Sequence, residues 1–300
     1  MTFLPLWALA TIAAATAQTA RNAMQRHLTA SLGTLGATLV RFLFGLPFAI
    51  LFLVLVVAFT GHLPPAPSLA YLAQVLAASA FQIAATALML AAMRLTTFSV
   101  TIAYIKTEPV QVALFGFLIL GERLGGLSLA GIVVATVGVI IMSQVRGADL
   151  ARGLAARPAL FGLAAAAAFA GAAVVFRSAI LTLESGDALM RATTTLVWSQ
   201  ALQSLMLVGW LFVFNRSVVV ATVRAWRQSL FAGAMGALAS QFWFLGFALT
   251  SAANVRTLAL VEVLFAHFVS RRFAEETTPR QYAGMAMVVV GVGALIAGHG

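Results

Sequence analysis

Lys106, Glu108 and Pro109 interrupt VTIAYIKTEPVQVALFGFLIL (100–120), a run otherwise apolar enough for lipid. An ionisable side chain at the centre of a membrane helix costs about 2.5–3.5 kcal/mol on insertion scales, so it is expected to face the bundle interior or a wet cavity. Pro109 loosens its helix and frees a carbonyl near Ile105. Such interruptions are tolerated where they line a cavity. Lys106 and Glu108, two residues apart, project about 200° from one another on a helix, so at least one needs compensation from another helix. Thr101, Tyr104, Glu108 and Gln111 fall on one face, with hydroxyl, aromatic and amide groups around a carboxylate. That set suits a zwitterionic or cationic cargo, or a proton. Glu108 could equally do no more than neutralise a nearby Arg or Lys.

Arg256, Glu262 and His267 also fall within apolar segments. Glu262 could be held in a fixed ion pair with Arg256 or Arg41, or could share a transport role with Glu108. These two carboxylates are the proton-coupling candidates. Arg256 offers a planar fork for a carboxylate or phosphate. His267, one turn from its helix end, suits an interfacial position. The uncharged candidates are Gln18, Gln82, Gln241 and Asn254, with Trp7, Phe81, Tyr104, Trp198, Trp243 and Phe244 among the aromatics. An amide beside an aromatic can orient and stack a planar metabolite, although aromatics also serve as packing groups and interface anchors. Glu122 and Arg123, between Gly121 and Gly125, read as helix-end residues rather than cargo ligands.

No arrangement points to an enzyme. Cysteine is absent, which excludes disulfides, thiolate metal sites and cysteine nucleophiles. His27, His62, His267 and His299 are scattered, and HExxH, GxSxG and P-loop patterns are missing. No metal or cofactor is expected. Charge is +10, from 17 Arg and one Lys against 8 acids. Most of the Arg lie in short stretches between apolar runs, where they read as topology-setting charge facing anionic lipid. No nucleic-acid partner is expected, because no basic run with interleaved aromatics exists outside those runs.

The elements that must position these side chains are membrane helices. Hydrophobic residues make up 62% of the 300 and charged residues 9%, against roughly a quarter charged in a soluble domain. Apolar runs near 20 residues, punctuated by polar and Pro/Gly breaks, predict an all-α integral membrane protein with about ten spans. They fall near 4–21, 33–59, 67–93, 97–119, 126–145, 158–181, 188–214, 229–249, 252–270 and 280–298. The N-terminal apolar run lacks a preceding basic segment and reads as a retained span. Ala- and Gly-rich stretches in the first and sixth spans favour close packing inside the bundle.

The two halves repeat. Glu122, Gly131 and Gly138 recur at the same spacing as Glu275, Gly284 and Gly291. Glu262 answers Glu108 with a shift of one, Arg177 answers Arg21, and Arg191 answers Arg41. Residues 1–146 form the first repeat, 147–157 a connecting loop and 158–300 the second. Five helices per half require the second to enter the membrane inverted, and inverted repeats place a cargo site at their interface.

RFLFGLPF, ALMLAAMRLTTFSVTIAYIKTEPVQVALFGFLILGERL and the paired glycines of the fifth and tenth spans resemble the drug/metabolite transporter superfamily, in its EamA-type branch. The resemblance covers nearly the whole chain and is strongest at EPVQVALFGFLILGERL (108–124). In the second half, Val263 stands where the family pattern has a proline after the acid. The resemblance implies ten helices in two inverted five-helix repeats and export or exchange of small metabolites. The expected function is therefore secondary transport of amino acids or drug-like solutes by alternating access, with proton coupling a candidate driving force. The alternative is an organic-anion or nucleotide-sugar exchanger using Lys106 and Arg256; a channel is a further reading. The expected partners are a small cargo and the lipid bilayer, with the protein a monomer or homodimer in the inner membrane. Arg in the odd-numbered loops puts both termini outside, whereas the family resemblance implies cytoplasmic termini.

Overall fold

A computed structural model describes residues 5–95, 98–142, 156–262 and 278–298. Every regular element among them is helical: α1 Leu6–Leu43, α2 Leu46–Thr60, α3 Leu69–Leu95, α4 Phe98–Ile105, α5 Glu108–Leu120, α6 Gly126–Met142, α7 Ala156–Thr182, α8 Ala188–Phe214, α9 Arg216–Arg224, α10 Trp226–Leu249, α11 Ala252–Leu258 and α12 Pro279–Ala297, with a 3₁₀ turn at Ala259–Val261. Seven segments are long and apolar enough to cross a membrane, and Gly126–Ile141 and Ala252–Val261 are shorter apolar helices. Ile50, Leu51, Val54, Leu55 and Phe59 on α2, and Leu114, Phe117, Leu118 and Ile119 on α5, are exposed. Water would penalise such surfaces and acyl chains do not. The chain is a multi-pass helical membrane protein.

Helix ends follow local chemistry. The Asp187 carboxylate accepts from the Met190 amide at 2.7 Å and starts α8. Ser251 Oγ accepts from the Asn254 amide at 3.2 Å and starts α11. Thr278 and Gln281 form a reciprocal capping box on α12. The first boundary differs from expectation. Sequence punctuation ends the first span at Arg21, yet α1 continues until Gly33, whose φ of 67° and ψ of 177° interrupt it. Polar side chains mark the edge of lipid, and nothing in RNAMQR stops a helix; glycine alone readily takes that backbone conformation. Arg21 is accordingly buried, at 6% exposure, and is not a loop charge. A second unforeseen element is α9, in a stretch that reads as a charged loop.

The chain packs as two compact units. One comprises Met1–Ser79 with Val175–Leu249 and the other Ala80–Val174 with Thr250–Gly300, so their boundaries fall inside α3 and α7, and each draws on both sequence halves. In the first unit α1 packs on α10, with Leu28, Ala37, Val40 and Ala232 forming a core flanked by Met24, Leu32 and Phe44. In the second unit α6 crosses α12. A Cβ on Gly131 would lie 2.5 Å from the Gly291 carbonyl oxygen, and one on Gly138 would lie 2.7 Å from that of Gly284. Residue number rises on one helix as it falls on the other, so the pair is antiparallel. The glycines let two backbones touch, a contact any side chain would hold apart.

Candidate functional site

The second unit holds the charged residues singled out from sequence, at two breaks. The first separates α4 from α5 at Lys106 and Thr107. Pro109 has no amide hydrogen to donate back to Ile105. The Thr107 amide and hydroxyl donate to the Tyr104 carbonyl at 3.1 and 2.6 Å, and the Gln111 amide nitrogen Nε2 donates to Thr107 Oγ1 at 3.1 Å. Glu108 therefore sits in the first turn of α5, where the exposed amides of a helix start favour negative charge. At the second break α11 ends at Leu258 and the chain tightens into the 3₁₀ turn before Glu262. Arg256 occupies the last turn of α11, where positive charge is favoured.

The two breaks exchange charges. Lys106 Nζ donates to Glu262 Oε1. Arg256 Nε lies 3.2 Å from Glu108 Oε1, an ion pair without the alignment of a hydrogen bond. The four side chains are only 14–20% exposed. Each carboxylate meets the cation of the other break, and the formal charges cancel. Lys106 and Glu108 do not pair with each other, and the turn at 106–107 sets Lys106 between the two helices instead of on one helix with Glu108. Glu262 accepts from Lys106, a partner not considered for it from sequence, and Arg256 faces Glu108. The face expected to join Thr101, Tyr104, Glu108 and Gln111 is not one continuous helical face, since the turn at 106–107 divides it. Thr101 is buried, while Tyr104 packs on α7, where a Cβ on Gly162 would fall 2.7 Å from the Tyr104 ring.

Gln82 and Asn254 share this unit. Gln82 is half-buried on α3 beside Phe81, whose ring lies against Gly171 of α7. Asn254 is buried, and its Nδ2 donates to Thr250 Oγ1 at 2.9 Å. The remaining three candidates belong to the first unit. Trp243 Nε1 donates to Gln18 Oε1 at 3.2 Å, and Gln241 Nε2 donates to Thr193 Oγ1 at 2.8 Å. His267 lies outside the described residues. Glu122 takes the helix-end role expected of it: its amide donates to the Gly116 carbonyl at 3.1 Å as α5 terminates.

Sequence reasoning missed the polar interior of α8. Thr193, Thr194, Thr195, Ser199, Gln200, Gln203 and Ser204 are all buried. Thr193 and Thr195 donate to carbonyls one turn back, at 2.7 and 2.9 Å, and the Tyr71 hydroxyl donates to Thr195 Oγ1 at 3.2 Å. The signal was ATTT and SQALQS within an apolar run, overlooked because no ionisable group stands out there. Among the described residues no group of three His, Asp or Glu is placed to hold a metal. An open pocket of about 570 Å³ lies in the first unit between Thr60, His62, Leu63 and Ser185–Met190, and none of the sequence candidates lines it.

Apolar spans, two helix breaks and the charges gathered at them are features that suit a membrane transporter of small solutes. Residues 5–144 match the EamA-like transporter family model, so this stretch of the chain is similar to a family of membrane transporters. One solved crystal structure aligns over 96% of this chain and 95% of its own, with a TM-score of 0.66 at 16% identity, a likeness of fold alone. Curated proteins give no match.

Proposed function

We propose that the protein is a secondary transporter that moves small organic metabolites by alternating access between two inverted five-helix repeats, ten spans in all. The observation that carries this reading is the exchange of ion pairs between the two helix breaks, Lys106 with Glu262 and Arg256 with Glu108. Charges so placed are costly in lipid unless they face a polar path. A repeat-related acid on each break gives the two halves equivalent means of holding a cargo or a proton. The antiparallel crossing of α6 and α12 supports the inversion. Gly131 matches Gly284 in the repeat and Gly138 matches Gly291, and each meets the counterpart of the other. A twofold axis in the membrane plane would produce that cross-pairing.

Glu108 and Glu262 are the proton or cargo carboxylates in this reading, and protonation or an incoming cation would release Arg256 or Lys106. An ordinary organic anion would have to displace a carboxylate already held by each cation, so amino acids and drug-like cations fit better than anions. Export from the cell across the inner membrane is the direction the family resemblance implies. Cargo is first identified by a thermal-shift screen of purified protein against metabolites, since a ligand of the folded state raises its melting temperature. Proteoliposomes loaded with that cargo then test coupling. Wild-type counterflow should depend on an imposed pH gradient, and Glu108→Gln or Glu262→Gln should abolish that dependence. Unchanged rates and pH dependence in both variants would remove the carboxylates from the mechanism.

A further inference from the structure

Between the two apolar helices α8 and α10 lies α9, nine residues long. At 1.5 Å per residue it spans about 14 Å, far short of a hydrocarbon core about 30 Å thick. It joins the ends of two segments long enough to cross, Ala188–Phe214 and Trp226–Leu249, and so lies at a membrane surface. Its inner face packs on α1: a Cβ on Gly36 would meet Thr222 Oγ1 at 3.3 Å and Val218 Cγ1 at 3.4 Å. The opposite stripe, Arg216, Val220, Val223 and Arg224, continues to Arg227 and is exposed throughout. Aromatic groups stand at both ends. The Arg216 guanidinium lies 4.3 Å over the Phe212 ring, with Nε donating to the Phe212 carbonyl at 2.8 Å, and the Arg227 guanidinium lies 5.3 Å from the Trp226 ring. No Asp or Glu occurs from Ala188 to Val261, so this stripe has no acidic neighbour in sequence.

We propose that the outer stripe of α9 is an interfacial docking surface for anionic phospholipid, with Val220, Val223 and Trp226 entering the headgroup boundary and Arg216, Arg224 and Arg227 binding phosphate. The face combines apolar side chains with positive charge on a short surface helix, the combination by which amphipathic helices lie in an interface. Charge complementarity selects the occupant, because zwitterionic headgroups present no net charge and a water-facing helix would gain nothing from Val220 and Val223. Trp at this level is suited to both sides of the boundary.

The chain has no cysteine, so Val220→Cys or Val223→Cys provides a single thiol for a nitroxide label. The full-length protein is reconstituted in phosphatidylcholine vesicles with and without phosphatidylglycerol. Label collisions with oxygen should rise, and those with a water-soluble nickel chelate fall, as phosphatidylglycerol is added. Binding of phosphatidylglycerol over phosphatidylcholine should weaken roughly fivefold for each of the three arginines replaced by Gln, the scale for a basic residue near an anionic surface. Unmodified protein offers an independent measurement: the preference should decline as salt is raised, since surface charge is screened within about 8 Å at physiological ionic strength. Labels that stay in water in both vesicles would overturn the proposal. So would a preference indifferent to both salt and the arginines, or label immobilisation that tracks protein concentration instead of lipid.

Discussion

A buried ion pair owes little of its worth to attraction alone, because both charges have given up their water. The larger consequence follows from removing one partner, which strands the other; in buried pairs this costs about 3–5 kcal/mol. Lys106 and Glu262 retain 17% and 20% exposure, so the low end applies. Lys106→Met should lower unfolding free energy by about 3 kcal/mol, whereas Lys106→Met with Glu262→Met should recover most of the loss. Denaturant unfolding in detergent checks this as a double-mutant cycle, and additive losses would show that the residues act independently. The same pair shows what was legible at this scale. Lys106 and Glu108 announced themselves, since charged groups in an apolar run demand an explanation. Their partners did not, because partners 156 and 148 positions away (262 − 106 and 256 − 108) depend on how two broken helices turn. Thr193 and Gln200 escaped notice for the opposite reason: hydroxyl and amide groups cost less in an apolar run and stand out less.

Elements are bounded by backbone chemistry, and hydropathy reports something else. Arg21 is the first charged side chain after the N-terminal apolar run, but α1 continues past it because its next residues are all acceptable in a helix. Gly33 ends that continuity with φ of 67° and ψ of 177°, and a Cβ there would meet nothing within 4 Å. Gly33→Ala therefore tests backbone conformation with no steric clash to confuse it. Strained backbone of this type costs about 1–3 kcal/mol, so the variant should unfold that much more easily. A melting curve equal to wild type would show the helix re-forming through residue 33 without loss. Pro109 was readable as an interruption, and the structure places the break just before it, at Lys106–Thr107. The helix α9 was not readable. Nine residues are too few to establish a hydropathy pattern beside a long span, and three nearby Arg made the stretch look like ordinary loop.

At the scale of the molecule, sequence equivalence and compact packing divide the chain differently. The sequence repeat predicts halves that meet near 147–157, yet each compact unit takes helices from both sides of that point. Equivalence was legible because glycine and acid spacings survive in sequence, while the packing partners of α3 and α7 are fixed only in three dimensions. Topology is the remaining whole-chain property, and it can be argued from charge. With Arg21 buried in α1, the argument rests on Arg94, Arg146, Arg152, Arg157, Arg216, Arg224, Arg227, Arg271, Arg272 and Arg280, all in or beside the odd-numbered connections of the ten spans expected from sequence. The even connections offer fewer: chiefly Arg123, with Arg177 and Arg191 near helix ends in α7 and α8. Basic connections are retained on the cytoplasmic side, so both termini should face outward. A C-terminal phosphatase fusion, active only outside the cytoplasm, should be active, and a fluorescent-protein fusion that folds only inside should be dark. The reverse result would place the basic connections outside, with the cytoplasmic termini that the family resemblance implies. It would also move α9 to the outer surface, where its arginines would meet the outer leaflet.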